Sequence, residues 1–226
     1  MKDVSMFTGT YKGTAMNILA LDSAGEVLSA ALGTESGVWY TEINAGSRHS
    51  ELIMECVDGL CKTAGLNPAD LKTVVCSRGP GSFTGLRIGY STAKGLSMAL
   101  GIPLIAVPTL DCLAYPLSIW PGLILPAIDA KKSCFFTAFY RGSKRISNYS
   151  DTAPETIAEM AIKIAFNPNE PIILTGSGAR MLYSLTLLAL SPADNEQNSP
   201  LTVDLIISAI LFRSNINSTS VPKSCC

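Results

Sequence analysis

Three short segments of this 226-residue sequence carry residue types that catalysis and ligand binding often use. The first is Asp22, which ends the apolar run NILALD at 17–22 and is followed by Ser23. A carboxylate at the end of a strand can hold a metal-bound water beside a phosphate. It can equally begin a turn, because an aspartate side chain bonds readily to the backbone two residues on. Both interpretations of Asp22 stay open from the residues alone.

The second segment is a glycine-rich turn, RGPGSFTGLR at 78–87, between a predicted strand at 71–76 and a predicted helix at 85–100. Backbone N–H groups at a helix N-terminus attract anions. A candidate nucleotide or phosphate loop therefore comprises Asp22, Ser23, Gly79, Gly81 and Ser82. The spacing differs from the G-x-G-x-x-G and G-x-x-x-x-G-K-[ST] motifs, and no lysine follows to reach a phosphate. What the pattern predicts directly is a tight strand-to-helix turn.

The third segment, SRHSE at 47–51, starts a predicted helix at 50–64 and contains His49, the one histidine of the sequence. One histidine excludes a multi-histidine metal site and an H-E-x-x-H helix. The sequence also has no G-x-S-x-G elbow to supply a serine nucleophile. We therefore expect His49 to be structural or at the surface, and we expect no catalytic residue and no metal site in this chain.

Small residues form a stripe along the predicted helix at 85–100, where every fourth position is Gly85, Gly89, Ala93 or Ser97. A glycine inside a helix costs about 1 kcal/mol relative to alanine, so such a stripe needs a structural use. Two uses stay open: close packing on the chain's own sheet, or close approach of a partner's helix. In the second case, a large residue at Gly89 or Ala93 abolishes pairing and leaves a folded monomer.

The composition limits the classes of function. Hydrophobic residues make up 47% of the sequence and charged residues 15%, which excludes wholesale disorder. The net charge is -1, from 17 Lys and Arg against 18 Asp and Glu, and this balance disfavours tight direct binding of nucleic acid. Seven cysteines without a C-x-x-C motif are typical of a cytosolic protein. With no evident signal peptide, and with three prolines in the uncharged run 112–128, we expect a cytoplasmic protein without a membrane span.

The order of predicted elements is similar in the two halves of the chain. The first half gives strands at 17–22, 27–32 and 38–43, a helix at 50–64, a strand at 71–76, a helix at 85–100 and a strand at 104–107. The second gives strands at 123–128, 134–140 and 145–149, a helix at 154–165, a strand at 172–175 and helices at 180–190 and 201–212. This βββαβα repeat predicts an α/β fold of two RNase H-like lobes, the plan of the actin-like ATPase superfamily.

The run CSRGPGSFTGLRIG at 76–89 resembles the signature of the bacterial TsaB (YeaZ) family. ILALDS at 18–23, RHSE at 48–51 and DAK at 129–131 resemble further parts of the same family, and the resemblance covers about residues 16–190. It implies a first lobe with the dimerisation helices at 16–108 and a degenerate second lobe at 109–212, and the polar residues at either end predict an N-terminal extension at 1–15 and a polar tail at 213–226. The family usually ends in a Pro-x-Tyr-Leu-Arg-like strand, which the residues after 212 do not match.

The resemblance also implies a function. The family consists of actin-like, glycoprotease-like pseudo-enzymes that serve in the synthesis of N6-threonylcarbamoyladenosine (t6A) at position 37 of tRNAs reading codons that begin with A. A larger relative, TsaD, binds a metal through histidines and performs the transfer. TsaB pairs with TsaD through its first two helices, the ATPase TsaE joins them, and TsaB forms homodimers through the same surface. The resemblance thus implies an accessory subunit that is not itself an enzyme.

The resemblance further implies no cofactor on this chain alone, with ATP or ADP and a metal at the complex, and contact with tRNA only through that complex. The partner interface then lies on the helices at 50–64 and 85–100, at Leu52, Ile53, Cys56, Leu60, Gly85, Arg87, Gly89, Ala93 and Ser97. Two other functions stay open: a small-molecule kinase or ATPase of the actin-like fold, which needs a phosphate loop in each lobe, and a glycoprotease-like peptidase.

Overall fold

The computed structural model describes residues 17–167 and 170–190 of the chain. The extension at 1–15, the predicted helix at 201–212 and the polar tail at 213–226 lie outside the described residues. Within the described ranges, no helix combines the length and the apolar character needed to cross a membrane.

The first lobe contains a five-stranded sheet in the order β3-β2-β1-β4-β5. Its strands are β1 (Ile18–Asp22), β2 (Val27–Thr34), β3 (Gly37–Asn44), β4 (Thr73–Ser77) and β5 (Leu104–Val107). The first three form an antiparallel meander, and β4 and β5 add to β1 in parallel. Ile18 lies opposite Gly33 on one side and Thr73 on the other, so β1 is the central strand of the sheet.

Two helices connect the strands of the first lobe: α1 (His49–Ala64) leads from β3 to β4, and α2 (Phe83–Leu100) leads from β4 to β5. The apolar positions of α1 recur with helical spacing and pack into the core under the sheet. Both helices end at glycines in the left-handed conformation, Gly65 and Gly101. A short 3-10 turn, Pro68–Asp70, lies between α1 and β4.

The second lobe repeats this plan with one parallel strand in the described residues, where the first lobe has two. Its strands are β6 (Leu123–Lys131), β7 (Cys134–Thr137), β8 (Tyr140–Arg141), β9 (Lys144–Arg145), β10 (Ser150–Thr152) and β11 (Ile172–Thr175). The parallel pairing of β11 with β6 corresponds to that of β4 with β1. Its helices are α3 (Thr109–Ala114), α4 (Pro154–Ile164) and α5 (Ala179–Leu190), with a 3-10 turn at Tyr115–Leu117. The two meanders, each followed by a helix and a parallel strand, agree with two RNase H-like lobes, the second reduced.

One predicted strand of the second lobe is interrupted. The run 134–140 forms β7 and the first residue of β8, and the pairing with β6 keeps one register from Phe135 to Arg141, because Ala127 lies opposite Thr137 and Leu123 opposite Arg141. Between them the backbone N–H of Phe139 donates to Ser147 Oγ (2.8 Å) rather than to a strand. The predicted strand at 145–149 is accordingly replaced by β9 and β10 on either side of this loop.

Candidate functional site

The candidate phosphate loop begins with Asp22, which the structure places at the start of a turn. Its Oδ1 accepts a hydrogen bond from the backbone N–H of Ala24 (2.9 Å). The carboxylate therefore stabilises the β1–β2 turn, the simpler of the two interpretations that the sequence left open.

Ser23 lies at the centre of this turn and is 1% exposed. Its hydroxyl donates to the carbonyl oxygen of Gly85 (2.8 Å). A Cβ atom at Gly85 would lie 2.1 Å from the Ser23 carbonyl oxygen, and one at Gly89 would lie 2.1 Å from Ser23 Oγ. Gly85 is therefore required by the backbone of the chain's own β1–β2 turn, and a side chain at Gly89 would displace the Ser23 hydroxyl, so the structure supports the first of the two uses predicted for the stripe.

The glycine-rich turn at 78–87 also contacts the β1–β2 turn, at Ala24. The backbone N–H of Ser82 donates to Ala24 O (2.7 Å), and a Cβ at Gly81 would lie 2.5 Å from that oxygen. Ser82 Oγ caps α2 by accepting from the N–H of Gly85 (3.2 Å). The structure thus packs the turn at Ser23 and Ala24 against Gly81 and Ser82, while the chain itself occupies the Ser82 and Gly85 N–H groups that an anion would need. Nucleotide binding at Gly79, Gly81 and Ser82 stays a prediction.

The predicted partner interface needs correction at most of its residues. The side chains of Ile53, Cys56 and Leu60 are buried in the first-lobe core, where Ala93 is also fully buried. Apolar residues at helical spacing face the sheet, since a surface helix buries one stripe against its own core. Ser97 Oγ donates to Ile102 O (2.5 Å) and closes the end of α2. With Gly85 and Gly89 packed on Ser23 and Leu52 half-buried, Arg87 is the one exposed member of the set.

Sequence reasoning missed a different set of residues on the same two helices. Phe83 is 75% exposed, Met98 73%, Tyr90 46% and Met54 43%. Phe83, Tyr90 and Met98 are seven and eight residues apart, which places them on one side of α2. Arg87, on the same side, lies 5.4 Å from the Phe83 ring centre. We call Phe83, Arg87, Tyr90 and Met98 the outer face. Their spacing in the sequence was the signal that could have identified them.

His49 is the first residue of α1 and is 4% exposed. Its Nε2 atom has no hydrogen-bond partner among the described residues. The same part of the chain holds no group of three or more histidine, cysteine, aspartate or glutamate side chains that could bind a metal ion. The burial of His49 in the helix start agrees with the structural role predicted for it.

The second lobe has an equivalent turn in the last three residues of β6. Asp129 Oδ1 accepts from the backbone N–H of Lys131 (2.7 Å), and Oδ2 pairs with Lys131 Nζ (2.8 Å). This hydrogen-bonded pairing lowers the pKa of the Asp129 carboxyl below its usual value. The N–H of Gly178, at the start of α5, donates to Ala127 O (2.9 Å), and a Cβ there would lie 2.9 Å from Asp129 N. Each lobe therefore packs a glycine against an aspartate turn.

This architecture matches known proteins. The family model described as TsaD, tRNA N6-adenosine threonylcarbamoyltransferase, matches residues 42–177. The chain is 38% identical over 127 residues to the tRNA threonylcarbamoyladenosine biosynthesis protein TsaB of Bacillus subtilis, with 56% of each chain covered. It is 35% identical over 128 residues to the protein of the same name from Escherichia coli, with 56% of this chain and 55% of that protein covered. The chain thus spans about half the length of these curated relatives.

The structure of YeaZ from Pseudomonas aeruginosa is similar to this chain with a TM-score of 0.67 and 25% sequence identity, over 76% of this chain and 79% of that chain. The likeness confirms the predicted α/β fold of two RNase H-like lobes. The chain therefore belongs to the family that the TsaD model describes, and the relatives and the solved structure that it resembles here carry the names TsaB and YeaZ.

Proposed function

We propose that this chain is a non-catalytic subunit in the synthesis of t6A at adenosine 37 of tRNAs reading codons that begin with A. It acts by docking on a TsaD-like catalytic subunit. Two supports come from the comparisons: relatives 35% and 38% identical are named for this biosynthesis, and the matching family model is that of the transferase. The proposal extends to this chain what those names say of the relatives.

The outer face is the observation that carries the docking proposal. Phe83, Tyr90 and Met98 lie on the solvent side of a helix whose other side already packs on the sheet. Fully burying a large apolar side chain contributes about 1.5–3 kcal/mol, so a partner that covers these three gains substantial binding energy. Exposed aromatic side chains are also the residues that most often dominate protein interfaces.

The proposed complex pairs α1 and α2 with the corresponding helices of the partner, in a layer of four helices. In isolation the chain forms a homodimer through the same face, which the catalytic subunit displaces. A TsaE-like ATPase joins the pair, and ATP or ADP and a metal bind at the complex. With a net charge of -1, the chain contacts tRNA through its partners, in the cytoplasm.

The accessory role draws support from the residues of the first lobe. The sequence has one histidine, and it is buried at the start of α1. The N–H of Ser82 and the Oδ1 atom of Asp22 are both hydrogen-bonded to the backbone of Ala24 in the β1–β2 turn. A kinase of this fold needs such groups for a phosphate, and no observation favours the kinase or the peptidase. ATP turnover by the purified chain that is lost in Asp22→Ala would favour the kinase.

The function is tested by depleting the chain in cells and measuring t6A in digested tRNA by mass spectrometry. We expect the modification to fall on depletion and to return with the wild-type chain. Tyr90→Glu should not restore it, because a charge at the outer face opposes burial. The matched control is Ile162→Glu, on α4, where the side chain is 56% exposed and outside the outer face. Unchanged modification on depletion contradicts the function, and full rescue by Tyr90→Glu contradicts the docking face.

A further inference from the structure

A cleft of about 350 Å³ lies between the two lobes. The first lobe lines it with the loop after β4, and the second lobe lines it with β7 and the start of β10. Its apolar surface comes from Pro80, Pro108, Leu110 and Phe136. This volume is within the range of small-molecule sites, which combine apolar walls with a few polar groups that fix orientation.

Two opposite charges face this cleft from opposite lobes. Arg78 belongs to the first-lobe wall and Asp151 to the second-lobe wall. Both side chains belong to exposed residues, and neither forms an ion pair with another residue in the described part of the chain. The Arg78 guanidinium and the Asp151 carboxylate are therefore both available to one bound molecule.

The walls of the cleft are held in place by the chain's own contacts. The carbonyl oxygen of Gly79 accepts from the N–H of Thr109 (2.9 Å), which fixes the first-lobe wall. On the other wall, the Tyr149 hydroxyl donates to Asp111 Oδ1 (2.8 Å), and the Arg145 guanidinium lies 3.8 Å from the Tyr149 ring centre. A preformed site loses little free energy to ordering when a ligand binds.

We propose that this cleft binds a free α-amino acid with an apolar side chain. The carboxylate accepts from the Arg78 guanidinium, the ammonium group donates to the Asp151 carboxylate, and the side chain covers Pro80, Leu110 and Phe136. A simple anion meets an unfavourable charge at Asp151, and a simple cation meets one at Arg78, so the arrangement selects a zwitterion. The site is independent of the outer face and of the proposed function.

The test is titration calorimetry of the purified chain with L-leucine, L-leucinamide and 4-methylpentanoate. The amide lacks the carboxylate and the acid lacks the ammonium group, so each loses one charge-assisted contact. We expect each to bind about tenfold more weakly than leucine. Arg78→Gln should remove the discrimination against the amide, and Asp151→Asn should remove the discrimination against the acid. The control variants Lys144→Gln and Glu155→Gln, exposed and outside the cleft, should keep both.

L-phenylalanine serves as a second probe, in case the cleft favours a larger side chain. Absence of binding by both amino acids at millimolar concentration overturns the proposal. So does unchanged discrimination in either cleft variant when circular dichroism shows that it is folded. Because the measurement uses the isolated chain, its failure leaves the docking proposal standing, and the failure of docking leaves this site standing.

Discussion

The two lobes build the same turn and bury it to different extents. In each, an aspartate at the end of the first strand accepts from the N–H two residues on, at 2.9 Å in Asp22 and 2.7 Å in Asp129. In the first lobe the turn is closed over, and Ser23 is 1% and Ala24 6% exposed. In the second lobe the turn reaches solvent, and the Lys131 side chain is 82% exposed.

The difference shows how one loop can take on a structural role. In the first lobe, Ser23 and Ala24 hold the glycine-rich turn and the start of α2 through hydrogen bonds and close contact with glycine. These contacts fix the side of α2 that faces the sheet, and the outer face on the opposite side stays exposed. In the second lobe, Asp129 is held by the neighbouring Lys131, and burial contributes little to the turn.

The largest expected effect comes from adding a methyl group to the buried turn. Gly85→Ala places a Cβ about 2.1 Å from the Ser23 carbonyl oxygen, so α2 or the turn must move. We expect a loss of about 3 kcal/mol in the free energy of unfolding, measured by urea denaturation. A larger residue at Gly89 should likewise unfold the first lobe rather than leave a folded monomer that cannot pair.

Gly95→Ala is the matched control on the same helix, because nothing lies within 4 Å of the added Cβ. It should stabilise the chain by about 1 kcal/mol, the ordinary gain of alanine over glycine in a helix. Equal urea midpoints for Gly85→Ala and the wild-type chain would contradict the close packing of Gly85 against the Ser23 carbonyl oxygen.

A smaller effect should follow the loss of one buried hydroxyl in each lobe. Ser23→Ala removes the bond to Gly85 O, and Thr137→Val removes the bond from Thr137 Oγ1 to Pro126 O (2.8 Å). Each leaves a buried carbonyl oxygen with a lost partner, so each should cost about 1–2 kcal/mol on unfolding. If Ser23→Ala leaves the free energy of unfolding unchanged while Thr137→Val lowers it, Ser23 does not hold the β1–β2 turn against α2.

The smallest effect concerns the exposed turn of the second lobe. Lys131 lowers the folded-state pKa of Asp129, so this pair stabilises the fold above the usual carboxyl pKa, and the contribution is lost as the pH falls through the folded-state value. In Lys131→Ala the pKa of Asp129 should rise toward its usual value, measured by NMR titration, with little change in stability at neutral pH. An unchanged Asp129 pKa in this variant would contradict the role of Lys131.

The sequence predicted the features that periodicity and turn chemistry control. The strands of the first lobe, the paired order of the two halves and the strand-to-helix turn at 78–87 follow from local patterns. The use of Gly85 and Gly89 did not follow, because a small residue allows close approach without indicating which surface approaches. Only the position of Ser23 against α2 distinguishes the two uses.

The outer face and the broken strand in the second lobe depend on packing over longer distances. Core and outer residues of α1 and α2 are both apolar, so their type alone did not separate Ile53 from Met54. The break between β7 and β8 depends on a hydrogen bond from the Phe139 N–H to Ser147, eight residues on. The hydrogen bond between Phe139 and Ser147 has no marker within the local sequence, whereas the helical spacing of Phe83, Tyr90 and Met98 could have identified the outer face.

The central claim is that the outer face docks the chain on a TsaD-like subunit. The direct measurement is the affinity of the two purified proteins by analytical ultracentrifugation or calorimetry, for the wild-type chain, Tyr90→Glu and Ile162→Glu. We predict that Tyr90→Glu loses about 2 kcal/mol of binding free energy or more, as expected for an interface aromatic residue, and that Ile162→Glu binds like wild type. Equal affinity of Tyr90→Glu and the wild-type chain would contradict the claim.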